Sequence, residues 1–305
     1  MSLMSAFPRW WAAAALAVAV GAACGGSDDS GGPAATPEPS REAPVRTVAH
    51  ATPPDQTLEF VAQEYSFEGP TVADAGMTEM VLTNEGAEEH QLALFRMNEG
   101  VDAGTVLGAL GAAGHLEAAR ELGTWIAGPN LASANATESV VIDLEPGRYI
   151  VGCVIPAPDG QPHAMKGMLS ELTVAEAPVA HHIADDTLPT VGLEEFGFEL
   201  PDGFDGRGSV EVVNNGGMIH EFGIVRLNDG ATVDDVIAYE RQPFPRTGDA
   251  PAQPATGTTF LDPGGRARLD LDLPPGRYAA VCYLPLPESH DAHLEHGMIE
   301  AFTVS

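Results

Sequence analysis

Short apolar runs alternating with polar residues recur along this chain from about residue 57 to its end. MVLTN (80–84), QLALF (91–95), SVVIDL (139–144) and RYIVGCV (148–154) are rich in β-branched residues and separated by turns such as EPG and PPG. Segments of that kind predict strands with one face buried. Two stretches, 101–122 and 232–241, break the alternation and predict helices that cover one edge or end of the strands. The expected architecture is all-β: antiparallel sandwiches of ~100–120 residues closed by Greek-key connections, each with a short helical insertion.

The pattern is written twice, at an offset of about 130 residues. Asn84-Glu85-Gly86 followed by His90 matches Asn214-Asn215-Gly216 followed by His220. HQLALFRMNEG (90–100) matches HEFGIVRLNDG (220–230), and LEPGRYIVGC (144–153) matches LPPGRYAAVC (273–282). HAMKGM (163–168) matches HLEHGM (293–298), and the openings EYSF (64–67) and EFGF (195–198) agree as well. Two copies of one domain are therefore expected, over 57–176 and 183–305, with 177–182 as the linker.

Ahead of the repeats the composition changes. Residues 1–23 hold Arg9, an apolar run and the small residues Gly21-Ala22-Ala23 directly before Cys24. The run is too short for a comfortable membrane span of ~20 residues. It resembles a bacterial lipoprotein signal, with Gly21 standing where such signals usually carry Leu or Val. That resemblance implies cleavage after residue 23 and lipid modification of Cys24. Ordinary secretion and an uncleaved anchor are the alternatives, and all three export the chain. Residues 24–56 are Gly, Ser, Asp, Pro and Ala with little to bury, and read as a flexible tether. The expected location is the cell envelope, the periplasm or the outer surface.

The chain of 305 residues carries 14 Lys and Arg against 44 Asp and Glu, a net charge of -30. Such a surface is repelled by nucleic acid and anionic lipid, and neither is an expected partner. At 44% hydrophobic residues it can still bury two cores.

Of three cysteines, Cys24 belongs to the leader, and Cys153 and Cys282 fall at the same place in each copy. Neither has a second cysteine within its own copy, so a structural disulfide is disfavoured. A merely buried cysteine would leave unexplained why a His and a Met recur behind it. A thiolate, two imidazoles and a weak thioether form the His₂Cys set with a long axial Met that selects copper and tunes its potential.

Both copies resemble cupredoxins, the type 1 or blue copper domains. The matching pattern is N-x-G-x-x-x-H, then G-R-Y, then C followed by H-x-x-x-G-M. Position by position it implies copper ligands His90, Cys153, His163 and Met168 in the first copy, and His220, Cys282, His293 and Met298 in the second. Up to two type 1 coppers per chain follow. The loops between Cys and His, nine residues (154–162) and ten (283–292), are longer than in small cupredoxins and are known in copper nitrite reductases. His290 and His296 neighbour His293, which is preferred because its step to Met298 equals that from His163 to Met168.

Two-domain members of the family include enzymes. Those wire a second copper centre through a histidine beside the type 1 cysteine, or carry His-x-His pairs. Here Gly152 and Val281 precede the cysteines, and no His-x-His occurs. The expectation is a carrier and not an enzyme: a tethered protein passing one electron per copper between redox partners such as a c-type cytochrome or an oxidase. A copper storage or delivery protein, and a metal-free interaction module, are the alternatives. Acidic residues in the ligand loops, Asp159, Glu288 and Asp291, suggest a rim that steers a cationic partner.

Overall fold

The computed structural model describes residues 51–305 apart from 114–115, 178–180, 184–186 and 244. The expected signal peptide, the lipidation site Cys24 and nearly all of the tether lie outside the described residues. In the first half the strands are β1 (Gln56–Gln63), β2 (Ser66–Glu68), β3 (Val72–Asp74), β4 (Gly76–Asn84), β5 (Ala93–Met97), β6 (Gly123–Ala127), β7 (Thr137–Leu144), β8 (Gly147–Gly152) and β9 (Leu169–Ala175). The second half repeats them as β10 (Thr190–Glu194), β11 (Gly197–Glu199), β12 (Arg207–Asn214), β13 (His220–Leu227), β14 (Ala252–Leu261), β15 (Arg266–Asp272), β16 (Gly276–Val281) and β17 (Ile299–Val304). The architecture is all-β, two sandwiches in tandem.

Alternation decides the faces. Along β4, Met80, Leu82 and Asn84 are buried, while Val81 and Thr83 between them are half-buried. The G-R-Y motif also has a structural reason. Tyr149 and Tyr278 are fully buried, and each hydroxyl donates to a carbonyl four residues back, Glu145 at 2.7 Å and Pro274 at 2.8 Å. That bond satisfies the one polar atom of a large core ring and pins the turn leading into β8 and β16.

The halves share their sheets. One sheet runs β11-β10-β12-β15-β7-β4-β1-β2 and the other β17-β16-β13-β14-β6-β5-β8-β9-β3, so each crosses from one half to the other. The crossings are narrow, Val141 against Arg268 and Ile126 against Leu261. Side chains thicken the seam: Trp125 stands edge-on to Phe260, and its backbone N–H donates to Asp262 at 2.9 Å.

The helical insertions form as the pattern predicts, with one refinement. In the second half α2 is Val233–Glu240, opened by a capping box between Thr232 and Asp235. In the first, the single expected stretch divides into α1 (Ala103–Ala113) and a 3₁₀ helix over Leu116–Leu122. Val106 and Leu110 of α1 bury against Phe95, Trp125 and Ile150 of the sheet. The 3₁₀ helix does more than cover an edge. Glu117 accepts the backbone N–H of Ile219 at 2.7 Å, and Arg120 pairs with Asp262 at 2.8 Å. The first half's insertion therefore grips the loop of the second half that ends at His220.

Candidate metal centres

Each half builds one buried cluster where three segments meet. His90 sits just before β5 and His220 opens β13, Cys153 and Cys282 follow β8 and β16, and His163 and His293 begin single 3₁₀ turns. His90, Cys153 and His163 bring one ligand atom each within 4.8 Å of one another, and so do His220, Cys282 and His293. The Nδ1 atoms of the paired histidines lie 3.1 Å apart in both clusters, and each Cys Sγ lies 3.5 Å from the second histidine's Nδ1.

The motif residues that carry no ligand explain this convergence. Asn84 gives both N–H groups of its amide to the carbonyls of Glu88 and Ala132, at 2.7 and 2.8 Å, and accepts from Gly86 N–H. Asn214 does the same with Met218, Leu261 and Gly216. The loop before the first histidine is thereby fixed. A Cβ on Gly86 would fall 2.9 Å from His90 Nε2 and 2.7 Å from Glu64, and Gly216 is as tight against His220 and Glu195. Only glycine lets the ring lie there. At the other end, Gly167 and Gly297 close the 3₁₀ turns with φ of 114°, a conformation glycine adopts freely. That reversal puts Met168 and Met298 next, both fully buried. Their N–H groups reach the carbonyls of His163 and His293, and their carbonyls accept from the N–H of Cys153 and Cys282.

The electrostatics suit a cation. Burial holds His90 down at about 4, helped by the charge of His163, and His163 sits at about 4 for the same first reason. Burial takes His293 to about 3 and lowers His220. All four rings are neutral at neutral pH, the state in which imidazole binds metal. Burial pushes the Cys153 thiol up to about 12 and raises Cys282 well above the usual thiol value, so each keeps its proton until a cation displaces it. Two backbone N–H groups already point at each sulfur, Gln91 and Ile155 at Cys153, and Glu221 and Leu284 at Cys282.

The donors fit one ion per cluster. Bonds of ~2.0 Å to nitrogen and ~2.3 Å to sulfur, the lengths zinc makes, span donor separations of this size. Among first-row metals, a set of two imidazoles and one soft thiolate in a buried pocket selects copper in its type 1 form. Both halves are cupredoxin-like.

No family model and no curated protein matches the sequence. Solved structures do. A blue copper protein, auracyanin A from Chloroflexus aurantiacus, is 26% identical over 39% of this chain and 98% of its own, with a TM-score of 0.28. A multicopper oxidase is 16% identical over 82% of this chain and 88% of its own, TM-score 0.25. A copper nitrite reductase from Nitrosomonas europaea is 16% identical over 82% of this chain and 93% of its own, TM-score 0.22. The strands and donor atoms described above, not these scores, make each half cupredoxin-like.

Residues around the cupredoxin-like sites add what the motif did not name. Glu64 accepts the N–H groups of Ala87 and Glu88, and Glu195 accepts that of Gly217. The next residues, Tyr65 and Phe196, hold left-handed φ of 65° and 62° and set their rings edge-on to His163 and His293, at 5.1 and 5.4 Å. The agreement of the two openings was the signal in the sequence; its role appears only in three dimensions. Glu88 Oε2 lies 2.9 Å from His163 Nε2. In the second ligand loop, His290 and His296 stay outside the cluster, and His296 faces Asp291 and Phe196. Asp159 of the expected acidic rim is bound to Lys166. His181 and His182 are exposed and pair with Asp55 and Asp143.

Proposed function

We propose that this is an exported, lipid-anchored electron carrier holding one type 1 copper in each half, with Met168 and Met298 as the weak axial ligands. One observation carries the reading: two complete His₂Cys donor sets, each closed inside its own sandwich with the ring nitrogens 3.1 Å apart. Bound copper would supply a one-electron couple between Cu(I) and Cu(II). The residues supply rigidity. Strand ends, an amide-locked loop and a glycine-capped turn hold the donors where they are in either oxidation state, so little rearranges when an electron arrives.

A carrier is favoured over an enzyme because neither cysteine has a histidine beside it to wire a second centre: Gly152 and Val154 flank Cys153, and Val281 and Tyr283 flank Cys282. Anchoring at Cys24, with the residues between it and the first domain as a tether, would let the domains swing between partners in the envelope. A c-type cytochrome or an oxidase is the partner class that suits a chain of net charge -30.

Loading with Cu(II) and titrating the visible spectrum against potential tests this. Intense thiolate-to-copper absorption, two coppers per chain and reversible one-electron couples are expected. Colourless protein would favour an interaction module, and tight Cu(I) binding without a reversible couple would favour copper storage or delivery. Turnover of nitrite, or oxidation of a substrate coupled to O₂, would replace the carrier by an enzyme.

A further inference from the structure

We propose that Glu88 makes the two copper sites unequal, holding the first half's site at the lower reduction potential. This rests on the two-copper reading above. With Nδ1 of His163 facing the other donors, its Nε2 carries the proton and donates it to Glu88 Oε2 at 2.9 Å. A carboxylate on the far nitrogen of a ligand histidine makes the ring a stronger donor, and the added negative charge favours the more highly charged metal state. For copper that state is Cu(II), and the potential falls. Tyr65 holds the carboxylate in place by donating its hydroxyl to Glu88 Oε1 at 3.1 Å.

The second half lacks both members of this pair. Met218 stands where Glu88 does, and Phe196, without a hydroxyl, stands where Tyr65 does. Phe196 still lies edge-on to the histidine, so the aromatic cover is kept while the charge and its tether are exchanged together for apolar groups. Other features recur in both halves: Glu64 and Glu195, Gly86 and Gly216, and the N–H donors to sulfur.

Lys166 near the first site, and Glu221, Glu117 and Glu194 near the second, act against the difference. Lys166 lies near the first site, but it is bound to Asp159 and sits over the Tyr65 ring. Glu221 lies beside His220 where the first half has Gln91. Its oxygens are taken by Tyr283 N–H and Asn130 Nδ2 rather than by a ligand side chain, and Glu117 and Glu194 are likewise bound to Ile219 N–H and Asn215 Nδ2. Glu88 alone is in direct contact with a ligand ring and is the larger influence.

The test uses full-length chains with one working site, Cys282→Ser for the first and Cys153→Ser for the second, loaded with Cu(II) and titrated spectroelectrochemically at one pH. The first site's midpoint should lie below the second's. Glu88→Gln, which keeps the shape and removes the charge, should raise the first midpoint by about 59 mV, a tenfold change in the Cu(I) to Cu(II) ratio. Tyr65→Phe should raise it less, and Met218→Glu should lower the second. A first midpoint at or above the second, or one that Glu88→Gln leaves in place or lowers, overturns the proposal. Should Glu88→Gln fail to fold, the wild-type ordering and Met218→Glu decide it. Loss of blue absorption in both unsubstituted sites would instead sink the two-copper reading itself.

Discussion

His90 Nδ1 and His163 Nδ1 face each other across 3.1 Å inside a closed pocket, and His220 and His293 repeat the distance in the second half. Neutral rings can bond that way only if one nitrogen carries a proton and the other does not, whereas a shared cation uses both lone pairs. Because the pockets are separate, their losses should be separate. Cys153→Ser should remove about half of the bound copper and half of the visible absorption, leaving the Cys282 site intact; metal analysis beside the spectrum checks this. Loss of both sites from one substitution would contradict independent centres.

Gly86 has no room for a methyl group. Its Cβ would meet His90 Nε2 at 2.9 Å and the Glu64 carboxylate at 2.7 Å, so the ring that supplies Nδ1 must shift. Gly86→Ala should cost ~1–3 kcal/mol of stability as an overpacked core position. It should also weaken copper at the first site by at least the ~10-fold typical of a disturbed ligand orientation. Thermal unfolding of the metal-free chain and competition with a copper chelator measure the two effects. Gly216→Ala should do the same to the second site only.

The seam predicts an effect at a distance. Glu117 belongs to the first half, yet it accepts the N–H of Ile219, one residue before His220. Removing the acceptor leaves a mostly buried donor without its partner, at a cost of ~1–3 kcal/mol. Glu117→Ala should therefore speed copper loss from the His220, Cys282 and His293 site and leave the site within its own half unchanged. Stopped-flow chelation of single-site chains would show it, and equal acceleration of both sites would argue against the contact.

Much of this was legible in the chain because the repeat supplied a second reading of every motif. The strands and both insertions follow from alternation, and the convergence of His90, Cys153 and His163 from the resemblance to cupredoxins that the residues recurring in register carry. Contacts made by different residues in the two halves could not be read that way. Glu88 was hidden because its counterpart is Met218, and pairing it with His163 requires knowing that a loop and a 3₁₀ turn far apart in sequence touch. Glu117 was hidden for a related reason: a helical insertion looks like cover until the second half is placed beside it. The shared sheets rest on single residue pairs, Val141 with Arg268 and Ile126 with Leu261, which leave no periodic trace.

Two carboxylates at the seam make stability depend on pH. Burial pushes Glu138 up to about 7, opposed by a hydrogen bond with Thr256 of the other half, and pushes Glu221 up to about 7 beside Asn130. Unfolded, each titrates near 4.5. The folded state thus binds more protons between those values, so their contribution is complete below about 4.5 and is lost as pH rises to about 7. The slope is about 1.4 kcal/mol per pH unit for each group. The histidines, held low, work in the opposite sense, losing stability as pH falls from 6.5 toward about 4. A difference experiment removes them. Glu221→Gln keeps an acceptor for Tyr283 N–H, and its new amide can donate to Asn130 Oδ1, which has no partner now, once that amide turns over. The metal-free variant should match the parent near pH 4.5 and melt at a higher temperature near pH 8. A variant less stable than its parent at pH 8 would show that the ionised carboxylate holds the seam together.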